Sequence, residues 1–122
     1  MIIQFDERVP IYVQIMNIIK KDIITMKTKR GDKLSSVREL ADTLKVNPNT
    51  VQRAYQELER ENVTYTQRGM GTFITEDGQK LLSLKKEMAK EIIITFVVEM
   101  KSLGYSPDEI VRTVLEHLKG EN

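Results

Sequence analysis

At about 100° per residue, Asn49, Gln52, Arg53 and Gln56 fall on one side of a helix whose other side carries Val51, Ala54, Tyr55 and Leu58. Asn and Gln present a donor beside an acceptor, which matches N6 and N7 of adenine, and Arg presents parallel donors, which match O6 and N7 of guanine. Each two-point pair of this kind discriminates by about 1–3 kcal/mol. Asn49, Thr50, Gln52 and Arg53 are therefore candidate readers of base edges. The backbone N–H groups near Asn49 and Thr50, at the start of that helix, are expected to be free for a phosphate. Arg38 lies in the first turn of the preceding helix, where the dipole disfavours a cation unless an anion faces it. Arg68 beside Gly69, with no bulky side chain at Gly71, would let the backbone approach a phosphate or a minor groove. A polar outer face also suits a helix that meets only water, and paired glycines also suit a plain turn. On these residues alone both readings stay open.

Other chemistry has little to work with. Among 122 residues there is no Cys, and His117 is the single His. Disulfides, thiolate metal sites and His pairs are thereby excluded, and no metal or cofactor is expected. Asp108, Glu109 and Glu116 are spread over a helix cap and a solvated face, with no partner for acid–base work. No catalytic residue is expected, and the chain does not read as an enzyme. The formal net charge of +1 conceals an asymmetry. Between Met26 and Arg53, seven basic residues (Lys27, Lys29, Arg30, Lys33, Arg38, Lys45, Arg53) stand against three acidic ones (Asp32, Glu39, Asp42). A phosphate backbone would be attracted there, though a solvated loop has the same composition. No run approaches the roughly 20 apolar residues of a membrane span, and MIIQFDER lacks the cationic start of a signal peptide. A soluble, cytoplasmic protein with no membrane partner is expected.

The elements that must position these residues follow from periodicity. Tyr12, Ile15, Ile19, Ile23 and Met26 recur at helical spacing, which predicts a core helix from Pro10 to Met26 with Pro10 at its first position. A polar turn follows, Lys27 to Leu34. Ser36 with Glu39 forms a capping box that starts a helix burying Val37, Leu40, Ala41 and Leu44. Asn47 caps the next helix, with Pro48 at its first position, and Asn62 suits a left-handed exit. Val63 to Gln67 and Thr72 to Thr75 predict a small hairpin turned by Gly69 and Gly71.

After Asp77-Gly78 a long helix is expected from about Gln79 to Leu103, with Leu84, Met88, Ile92, Phe96 and Met100 along its main stripe. Around Ile92 to Val98 the apolar surface reaches nearly all round. Such a run is β-branched enough for a strand, but helical patterning on both sides favours a helix. Ile93 and Val97 widen the stripe beyond what one small domain covers, and a second copy of the chain is the simplest cover. Gly104 stops that helix. Ser106 and Glu109 repeat the capping box, and Val111 and Leu115 share a face of the last helix with Ile110, Val114 and Leu118. The expected fold is mainly α with a small β-hairpin: a winged helix-turn-helix over residues 1–76, then a C-terminal helical hairpin for dimerisation over 77–122.

Three segments in order, PIYVQ (Pro10 to Gln14), GDKLSSVRELADTLKVNPNTVQRAYQELE (Gly31 to Glu59) and RGMGTF (Arg68 to Phe73), resemble the winged helix-turn-helix domain of GntR-family bacterial transcription regulators. The short two-helix tail looks like the YtrA-type branch. The resemblance implies that the helix after Asn47 is the recognition helix, that Val63 to Thr75 is the wing, and that the C-terminal helices form a homodimer. It also implies DNA contacts by Arg38, Asn47, Asn49, Thr50, Gln52, Arg53, Arg68 and Gly69, of which Asn47 comes from the resemblance alone. The chain departs from the family pattern at Met26 and Asn62, where Gly is usual, and at Ser35, where Pro is common. The implied function is that of a homodimeric regulator, in the first instance a repressor, on an inverted-repeat operator in double-stranded DNA. A winged module with a protein partner and sequence-independent DNA binding are the alternatives. A cleft between the C-terminal helices of two copies could hold an unidentified small-molecule effector, but no residue set in 79–122 specifies one.

Overall fold

The computed structural model describes residues 4–120. In chain order it contains α1 (Ile11–Ile24), α2 (Val37–Leu44), α3 (Pro48–Arg60), β1 (Thr64–Gln67), β2 (Gly71–Ile74), α4 (Gly78–Ser102) and α5 (Pro107–Gly120). This is the expected helical fold with one antiparallel hairpin. Backbone contacts divide it into two compact units, residues 1–85 and 86–122. The boundary between these units falls inside α4, and Leu84, on the first unit's side of it, is 1% exposed.

That core is built from one stripe of each element. Ile15, Ile19 and Ile23 of α1, Ala41 and Leu44 of α2, and Val51, Ala54, Tyr55 and Leu58 of α3 are buried together with Val63 and Ile74. The i, i+3, i+4 spacing that put them on one face in the sequence is what lets the three helices bury them. Pro10 is the N-cap of α1 and not its first helical residue: its ψ of 137° is extended, and its carbonyl accepts from Val13 and Gln14 N–H. Gln14 then holds the chain that leads into the helix. Its Oε1 accepts from Asp6 N–H at 2.8 Å, and its Nε2 donates to Asp6 O and Val9 O at 2.7 and 2.8 Å. Helix α1 ends at Ile24, two residues before the expected end, and Met26 takes a left-handed φ of 67°.

The hairpin pairs Thr64 with Ile74, Tyr65 with Phe73, Thr66 with Thr72 and Gln67 with Gly71. Residues 31–34, expected as a turn, lie alongside β2 and join it by one isolated bridge and backbone hydrogen bonds. Lys33 bridges to Phe73, Leu34 N–H donates to Thr72 O at 2.8 Å, and Ile74 N–H donates to Asp32 O at 2.8 Å. The lead into α2 is thereby stitched to the hairpin.

In the second unit, Gly104 at φ 90° ends α4, with Tyr105 N–H returning to Met100 O at 3.2 Å. Ser106 and Glu109 form the expected box: Glu109 Oε1 accepts from Ser106 N–H at 2.9 Å and Ser106 Oγ accepts from Glu109 N–H at 3.2 Å. The Ser106 backbone N–H, and then its hydroxyl, hold the Glu109 carboxyl below the usual glutamate range.

Candidate nucleic-acid interface

Helix α2 starts where its box dictates. Ser36 Oγ accepts from Glu39 N–H at 3.1 Å, and Glu39 Oε1 accepts from Ser36 N–H at 2.9 Å. The Ser36 backbone N–H, and then its hydroxyl, lower the Glu39 pKa. The box leaves Arg38 exposed in the first turn. Lys45, left-handed at φ 58°, ends the helix, and its N–H and that of Val46 both reach Ala41 O. A single residue in that conformation is what makes the turn into α3 tight.

Asn47 caps α3 through its oxygen, which accepts from Asn49 N–H at 2.7 Å. Thr50 N–H is also occupied, donating to Asn47 O at 2.9 Å. The expectation of free backbone donors at Asn49 and Thr50 is therefore corrected: the cap that starts the helix consumes them. Anion contacts at this end must come from side chains, among them the Asn47 amide nitrogen, which the cap does not use.

The two faces of α3 separate as the periodicity requires. Val51, Ala54 and Leu58 are 0% exposed, while Asn47, Asn49, Gln52, Arg53 and Gln56 are exposed and Thr50 is half-buried. Tyr55 fixes the helix from behind. Its hydroxyl donates to Ser35 O at 2.6 Å, and burial, with the Glu39 charge as a smaller cause, pushes its pKa up to about 12. The bond ties α3 to the chain entering α2, so the angle between the two helices is held at more than the turn.

One contact was not foreseen. The Arg53 guanidinium carbon lies 4.0 Å from the centre of the Tyr12 ring, and its Nη2 is 3.4 Å from the Tyr12 hydroxyl. Ile11 and Tyr12 line a shallow concavity with Asn47, Asn49, Thr50 and Arg53. The first turn of α1 thus joins the polar face of α3. Periodicity placed Tyr12 only in the core stripe of its helix. The PIYVQ segment was the available signal, and its tyrosine is half-buried here with its ring under a cation.

On the hairpin, Arg68 and Gly69 are exposed at the tip, Gly69 has φ 79°, and a Cβ added there would meet nothing within 4 Å. Gly71 is different. Lys33 Cε lies 2.7 Å from where a Gly71 Cβ would stand, so a lysine chain and not open space covers that glycine. The open backbone of the hairpin tip is therefore at Gly69, and Lys33 brings an exposed cation to the hairpin's flank.

Among the described residues, no group of three His, Cys, Asp or Glu is placed to hold a metal ion, and no helix is long and apolar enough to cross a membrane. In the second unit, Ile92 is 65% exposed, Ile93 59% and Val111 60%. Phe96 and Leu115 are exposed too, and Met88, Val97 and Met100 are half-buried. Leu84, also expected along this stripe, is 1% exposed.

Comparison with known proteins is consistent across the chain. Residues 11–74 match the family model "Bacterial regulatory proteins, gntR family". The chain is 41% identical, over 96% of its length and 97% of the relative's, to the HTH-type transcriptional regulator YhcF of Bacillus subtilis. It is 46% identical, over 75% of its length and 76% of the relative's, to the transcriptional repressor YtrA of the same organism. A GntR family transcriptional regulator from Listeria monocytogenes superposes with a TM-score of 0.84 at 45% identity, covering 92% of this chain and 98% of that one.

Proposed function

Because the chain belongs to the GntR family and is a DNA-binding transcriptional regulator, we propose that it acts in the cytoplasm as a homodimeric repressor, bound to an inverted-repeat operator. The observation that carries this reading is the outer face of α3, where Asn49, Gln52 and Arg53 are exposed while the opposite face is sealed in the core. Such a helix has the dimensions and side chains to enter a major groove and read base edges. Arg38 and the Asn47 amide flank it for phosphates, and Arg68 and Gly69 extend the surface along the hairpin. The apolar surface of α4 and α5 supports the dimer, since so much exposed Ile and Val in one short segment is costly in water. Two-fold symmetry in the protein then requires two-fold symmetry in the site. The repressor assignment is supported by the name of the similar YtrA protein.

The test is selection of binding sites from random duplex DNA at two salt concentrations. The expected result is a palindrome with half-sites about one helical turn apart. Arg53→Ala should relax preference at one base pair per half-site, with a loss of roughly 5- to 150-fold on the selected site, from 1–3 kcal/mol per two-point pair. Binding with no consensus and a steep salt slope would instead indicate sequence-independent attachment through the basic cluster. No binding at either salt would return the polar face of α3 to a solvated or protein-facing role.

A further inference from the structure

Resting on the reading of α3 as a base-reading helix, we propose that Tyr12 is a positioning residue for that function, holding the Arg53 guanidinium in one orientation so that α1 takes part in base choice. An arginine on an exposed helix samples many rotamers, and whichever one reads DNA must be frozen on binding. Here the guanidinium already rests on a ring, at 4.0 Å from its centre. Among the described residues no carboxylate pairs with Arg53, so the ring is the group that orients it. The geometry leaves the cation's work undone. A cation over a ring engages it through the flat face of the guanidinium, and apart from the long Nη2 approach to the Tyr12 hydroxyl its in-plane N–H donors are left for another partner. A stacked guanidinium can therefore still offer two parallel donors to O6 and N7 of a guanine.

The support beneath the ring is rigid. Ile15, in the next turn of α1, is 0% exposed, and Gln14 clamps the helix start to residues 6–9 by three hydrogen bonds. At the other end Lys20 Nζ meets Glu61 Oε1 at 2.8 Å, joining α1 to the cap of α3. The start of α1 is thus held to the preceding chain and its later turns to the end of α3, which limits how far the ring can drift from the guanidinium. The hydroxyl contributes less, since 3.4 Å is long for a hydrogen bond.

The experiment measures binding of the full chain to selected and base-substituted duplexes for wild type, Tyr12→Phe, Tyr12→Leu, Arg53→Ala and the Tyr12→Leu/Arg53→Ala pair, with thermal melting to confirm folding. Tyr12→Leu should lose roughly three- to tenfold on the preferred site, from the cost of freezing one long side chain. Its loss of preference should fall at the base pair that Arg53→Ala also relaxes. The double variant should bind no worse than Arg53→Ala, and Tyr12→Phe should keep both affinity and preference. In the free protein, the Arg53 side-chain proton resonances should be shifted upfield by the Tyr12 ring, and the shift should vanish in Tyr12→Leu. Equal losses from Tyr12→Phe and Tyr12→Leu on every duplex would overturn the proposal and make the hydroxyl a phosphate contact. Additive losses in the double variant, or unshifted Arg53 protons in wild type, would overturn it too. If wild type selects no consensus, the base-reading function fails and this inference falls with it, whatever the resonances show.

Discussion

Thr64 Oγ1 is buried at the start of the hairpin without a hydrogen-bond partner among the described residues. A buried hydroxyl that has left water without replacing its hydrogen bonds costs about 1–3 kcal/mol. Thr64→Val keeps the shape and the β-branch and removes the orphan, so it should stabilise the fold by about 1 kcal/mol. Chemical denaturation of the two proteins side by side checks this, and a lower midpoint for the valine variant would mean that the hydroxyl has a partner in solution. At this scale the sequence was legible wherever a residue's role depends on its own helix. Asn49, Gln52 and Arg53 were placed outward by periodicity, and Ser36 with Glu39 by spacing, and the structure puts them there. It was not legible where a role depends on a residue 41 positions away, as for Tyr12 and Arg53. The backbone donors of Asn49 and Thr50 were misjudged because one asparagine serves as both cap and turn.

Three helices here end through left-handed residues that are not glycine: Met26 at φ 67°, Lys45 at φ 58° and Asn62 at φ 63°. Asn62 was expected, because its short amide tolerates that region, and its helix closes with Val63 N–H on Leu58 O at 2.9 Å. Lys45 left no mark in the sequence. It lies between buried Leu44 and half-buried Val46. Met26 is the costliest of the three, since a Cβ in this region costs roughly 1–2 kcal/mol and the side chain, 67% exposed, gains little by packing. Met26→Gly should therefore raise stability by about 0.5–1 kcal/mol, after the greater freedom of glycine in the unfolded chain is deducted. Thermal melting will show it as a higher midpoint. An unchanged or lower midpoint would mean that the methionine side chain is covered in the assembled protein. The hairpin shows a related limit: its strands were legible, but the bridge that residues 31–34 make to β2 was not, because that pairing is non-local.

For the molecule as a whole, the exposed apolar surface of α4 and α5 predicts association. Ile93→Glu with Val97→Glu puts two carboxylates into that surface and should leave monomers by light scattering, with operator affinity falling roughly 10²- to 10⁴-fold through lost bivalency. A double variant that still sediments as a dimer would place the interface elsewhere. The last consequence concerns transplantation. Specificity in helix-turn-helix proteins invites exchange of the second helix alone, as if it were a removable key. Here the guanidinium of that helix lies on a ring belonging to α1. The smallest portable piece is then α3 with the opening turn of α1, and a graft onto a frame that lacks the tyrosine would carry the arginine across without its bearing.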